Sequence, residues 1–66
     1  MNDMFADAPI PIDAQIAEVR RELAMRRYVY PRRIQSATMS QSTADKQIKA
    51  LEAVLATLEK VKMGMV

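Results

Sequence analysis

The chain has 66 residues with no cysteine, no histidine and one glycine, at a net charge of +2. That length allows one small domain with a marginal core, and without those residues neither a disulfide nor a nitrogen- or sulfur-ligated metal can reinforce it. A glycine-rich phosphate loop and histidine- or cysteine-based catalysis are excluded too, so the expectation is a non-catalytic protein that gains stability by self-association.

Residues 1–11 read as an acidic tail ending in "PIP", a stretch that favours extended backbone. It lacks the continuous apolar run of a secretory leader, and nothing in the chain approaches the ~18 apolar residues of a membrane span. A soluble, cytoplasmic protein is therefore expected, with no membrane partner. Asp3, Asp7 and Asp13 are strung out rather than convergent, so no metal site is expected and no cofactor is implied. Met1, Met4, Met63 and Met65 supply flexible thioethers near both ends, a composition that suits adaptable contact surfaces.

From Ile12 the pattern changes. Ile12, Ile16, Val19 and Leu23 recur at spacings of four, three and four, which predicts one apolar face of a helix over about 12–30. Asp13 is the expected N-cap. Pro31 lacks an amide donor and disfavours helical geometry at Tyr30, so a break or kink is expected there, followed by a short helical piece over about 31–37.

"SATMSQSTA" then reads as a connection. Ser40 is the expected N-cap of the next helix, with Ser42 and Asp45 as a rival capping pair. Capping also accounts for these serines better than nucleophilic chemistry does. Ile48, Leu51, Leu55 and Leu58 step by three, four and three, while Val54 and Val61 widen the stripe, which predicts a helix over about 41–63. Gly64 ends it, with Lys60 and Lys62 in the last turn.

The fold class is thus all-α: an antiparallel helical hairpin over 12–66 with a Pro-kinked corner at Tyr30–Thr38. Two helices cannot cover each other's wide apolar faces. Ile16, Val19, Leu23, Ile48, Leu51, Val54, Leu55, Leu58 and Val61 are the expected core, completed in a dimeric four-helix bundle or a higher oligomer.

The charge is unevenly placed. All six arginines lie within residues 20–33, where they outweigh one glutamate, whereas residues 1–19 carry four acids and no base. The stretch "MRRYVYPRRI" sets Arg26, Arg27, Arg32 and Arg33 around Tyr28 and Tyr30. Arginine grips phosphate or carboxylate bidentately, and tyrosine stacks or donates a hydroxyl. These six residues are the candidate site for an anionic ligand, and doubling them in a dimer would give one cationic groove. The modest net charge favours a compact nucleotide or an acidic patch on a protein over long nucleic acid. The bland counterpart is a solvated face whose arginines pair with nearby carboxylates.

"RRYVYPR" together with "MSQSTADKQI", within a stretch spanning about 12–60, resembles a family of small, mostly uncharacterised accessory proteins of proteobacterial phages and prophages. That resemblance implies action inside a bacterial cell against host defence, by sequestering a nucleotide signal or by blocking a host protein. The family pattern has glycine where this chain has Ala37. A left-handed backbone at that position would cost alanine roughly 1 kcal/mol.

Overall fold

In the computed structural model, residues 9–65 are described, and they form two helices. The acidic tail expected over 1–11 lies mostly outside them. Helix α1 spans Ile12–Gln35 and helix α2 spans Gln41–Lys62. Their cross-helix partners run in opposite directions, Arg20 to Glu59, Arg27 to Glu52 and Tyr30 to Gln47, so the helices are antiparallel.

Helix α1 starts where the apolar period starts. Its N-cap is Pro11, in extended geometry and without a side-chain cap, and not the expected Asp13. Asp13 sits in the first turn, where its charge still favours the positive helix start, and its carboxylate meets Lys62 at 2.6 Å. The helix then continues through Pro31 as one element to Gln35. No separate helical piece follows, and the turn is confined to Ser36–Ser40.

That turn is closed by a Schellman motif. The amide of Ala37 donates to the Ile34 carbonyl and the amide of Thr38 to that of Arg33, at 3.0 and 2.9 Å. Ala37 occupies the left-handed position, with φ of 61°. The Ser36 and Thr38 hydroxyls donate to the same Arg33 carbonyl at 3.2 Å each. Ser40 then caps α2 as expected, its Oγ accepting from the Thr43 amide at 3.1 Å. A second Schellman motif ends α2, with Gly64 at φ of 73°.

The seam between the helices is narrow. Ile16, Leu23, Tyr30 and Ala44 are the buried residues. Val19, Ile48, Leu51, Leu55 and Leu58 are half-buried, and Val54 and Val61 remain 46% and 47% exposed. Burying a large aliphatic side chain contributes about 1.5–3 kcal/mol, so a seam of this width is a small driving force beside the entropy of ordering two helices.

Candidate functional site

The six arginines are distributed by helical geometry to three sides of α1. Seven residues make nearly two turns, so Asp13, Arg20 and Arg27 share one edge. There they form a ladder across the seam: Asp13 with Lys62 at 2.6 Å, Arg20 with Glu59 at 2.8 Å and Arg27 with Glu52 at 2.7 Å. These pairs are solvent-exposed, so each contributes about 0–1 kcal/mol, and their main effect is to set the register. Arg27, expected to bind a ligand, is thus occupied by Glu52.

Two further arginines pair within α1. Arg21 binds Glu18 one turn back, which holds the Glu18 carboxyl below its ordinary value and raises Arg21. Arg26 donates to Glu22 at 2.8 Å, and this hydrogen bond raises its pKa further. Arg26 is half-buried on the opposite edge from the ladder, in a shallow groove of about 300 Å³ shared with Val29, Tyr30 and Arg33.

Tyr30 does not face solvent. It continues the seven-residue spacing of Ile16 and Leu23 into the seam, is 7% exposed, and donates its hydroxyl to Gln47 Oε1. That makes it a core residue with a satisfied polar tip.

Tyr28, Arg32 and Arg33 remain. Tyr28 is 62% exposed, and the Arg32 guanidinium lies 4.3 Å from its ring centroid while donating to its hydroxyl. Such a contact is worth about 0.5–1 kcal/mol at an exposed site and holds the arginine fork in one orientation. Among the described residues, neither Arg32 nor Arg33 pairs with a carboxylate. Both stand in the last turn of α1, where the Schellman turn fixes the helix end and the dipole favours cations.

The sequence pattern thus brings Tyr28, Arg32 and Arg33 to one end of the hairpin, while Arg27 pairs with Glu52 across the seam and Tyr30 is buried in it. The two arginine rungs of the seam ladder are readable as a matched spacing of seven (Arg20 and Arg27 against Glu59 and Glu52), once an antiparallel register is assumed. Among the described residues no group of three or more acidic side chains could hold a metal ion. Likewise, none of their helices is long and apolar enough to cross a membrane. No family model matches the chain, and neither a curated protein nor a solved structure matches it.

Proposed function

We propose that this chain is a non-catalytic, self-associating binding protein that docks its basic corner on an acidic surface of another protein. One observation carries this reading: Arg32, stacked on exposed Tyr28, and the adjacent Arg33 have no carboxylate partner among the described residues, at a helix end closed by a Schellman turn. An arginine oriented by an aromatic face keeps most of its donors free and loses little further entropy on binding a carboxylate. The likeness to phage accessory proteins suggests a host protein as the partner.

A second reading has its own observation. Arg26 and Arg33 line the same shallow groove, so a compact phosphate-bearing ligand such as a nucleotide signal would find two guanidinium groups there. Glu22 already holds one of them, which favours the first reading.

The test is capture from bacterial lysate by the tagged chain and by its Arg32→Ala/Arg33→Ala variant, at low and at roughly physiological salt. A specific protein retained by the wild type, lost in the variant and weakened by salt supports the corner, because exposed charges are screened over about 8 Å at 0.15 M. Capture that survives both substitutions sinks it. Native mass spectrometry on the same preparation distinguishes the second reading, which requires added mass of nucleotide size.

A further inference from the structure

The two long edges of the hairpin differ. One carries the ladder of ion pairs described above. The other has no cross-helix ion pair among the described residues, and an open groove of about 850 Å³ lies along part of it, between Gln15, Glu18 and Val19 in the first half of α1 and Val54 and Leu58 of α2. On α2 this flank reads Thr43, Gln47, Ala50, Val54, Thr57 and Val61, spaced by four and three, without a charge over five turns. Val54 and Val61 are among the most exposed aliphatic side chains of that helix.

On α1 the same edge reads Gln15, Val19, Glu22, Arg26, Val29 and Arg33. This order is self-complementary about Ala24. Reversed against itself, Val19 meets Val29, Glu22 meets Arg26, and Gln15 meets Arg33. Every apolar residue faces an apolar one, and neither pairing with an arginine sets two like charges together. The hairpin register extends the symmetry to α2. Tyr30 stands level with Gln47 and Arg20 with Glu59, which puts residues 53–55 level with Ala24. A two-fold axis crossing the bundle at Ala24 therefore also crosses α2 at Val54, near the middle of its uncharged flank.

We infer that the open edge is the docking surface for a second copy of this chain, with a two-fold axis at the level of Ala24 and Val54. This inference rests on the self-association in the proposed function but not on the identity of its ligand. The dimer is a four-helix bundle in which α1 packs antiparallel to its copy and α2 to its copy, and the ion-pair ladders face outward. Val54 of one chain meets Val54 of the other, and Glu22 gains Arg26 of the second copy as a partner. The shallow groove of Arg26 and Arg33 is covered by the second copy. The geometry also separates the basic corners. Arg32 lies eight residues from the axis, so at 1.5 Å per residue the two copies of Arg32 stand roughly 24 Å apart along α1. Each corner therefore presents Arg32 and Tyr28 on its own, with Arg33 at the margin of the covered edge, and no single cationic groove forms.

The chain has no cysteine, so one can be placed at will. Val54→Cys should oxidise to a disulfide-linked dimer, because the axis brings the two positions together. Lys49→Cys, roughly 140° away around α2, should stay monomeric on a non-reducing gel under the same oxidant. Analytical ultracentrifugation of the untreated wild type should show a dimer at micromolar concentration. Val54→Asp, which sets two carboxylates face to face, should raise the dissociation constant at least a hundredfold while the helical circular dichroism persists at high concentration. Two results overturn the inference: a wild type that is monomeric at tens of micromolar, or a dimer in which Lys49→Cys cross-links as readily as Val54→Cys. If the dimer fails but Arg32-dependent capture persists, the proposed function stands without this interface. If the dimer forms and capture does not depend on Arg32 and Arg33, the interface stands and the corner reading falls.

Discussion

At the scale of single residues, the two helix ends form an internal comparison. Both close with the same Schellman hydrogen bonds, yet one places Ala37 and the other Gly64 in the left-handed position, at φ of 61° and 73°. An L-residue with a Cβ is strained there by roughly 1–2 kcal/mol, partly offset because alanine loses less backbone entropy on folding than glycine. Ala37→Gly should therefore stabilise the hairpin by about 1 kcal/mol, read as a higher urea midpoint with unchanged slope. Gly64→Ala has open space around the new Cβ, so its cost is conformational alone. It should fray the end of α2 by a similar amount without disturbing the turn. Equal effects of opposite sign at the two positions are the expected outcome, and no change at Ala37 would show that the turn relaxes away from the left-handed geometry.

At the scale of the helix, Pro31 is where a break or a kink is expected, and no break occurs. Its local preferences argue for a break, since it cannot donate to the carbonyl four residues back and its ring crowds the preceding turn. The helix nevertheless runs to Gln35, because the residues on either side of it are needed in the seam: Tyr30 is buried and Ile34 is half-buried. Tertiary contacts of this kind override propensity. Pro31→Ala should accordingly raise stability by up to about 3 kcal/mol, seen as a higher thermal midpoint with the same helical spectrum. A fall in stability would mean that the proline itself sustains the course of α1. The same contest explains what was readable in advance. The stripe of Ile16 and Leu23 shows in the sequence because its period is local. Tyr30 obeys that period, seven residues beyond Leu23, but its neighbours are arginines, and the surrounding charge suggests a ligand. The pairs of Arg21 with Glu18 and Arg26 with Glu22 are equally local and legible, whereas the partners of Arg20 and Arg27 lie 39 and 25 residues away and become readable only once the register of two helices is given.

At the scale of the whole molecule, the scant seam and the open edge bear on a single quantity, the dependence of stability on concentration. A lone hairpin in which, among the described residues, Ile16, Leu23, Tyr30 and Ala44 are buried and the rest of the seam is half-buried has little to set against the entropy of ordering its chain. Packing a second copy on Val19, Val54 and Leu58 adds apolar burial that exists only in the dimer, so folding and association become one equilibrium. Each tenfold rise in protein concentration then stabilises the folded dimer by about 1.4 kcal/mol. With an unfolding entropy near 2.1 cal/mol/K per residue over two chains, that corresponds to a thermal midpoint rising by roughly 5 °C per decade. The check is a series of melts over two decades of concentration, followed by circular dichroism. Wild type should show the slope, and Val54→Asp should melt lower with a much shallower slope, because the charge removes the dimer without touching the seam ladder. A wild-type midpoint that does not move with concentration would instead mean that the narrow seam suffices by itself, and the open edge would then need another occupant.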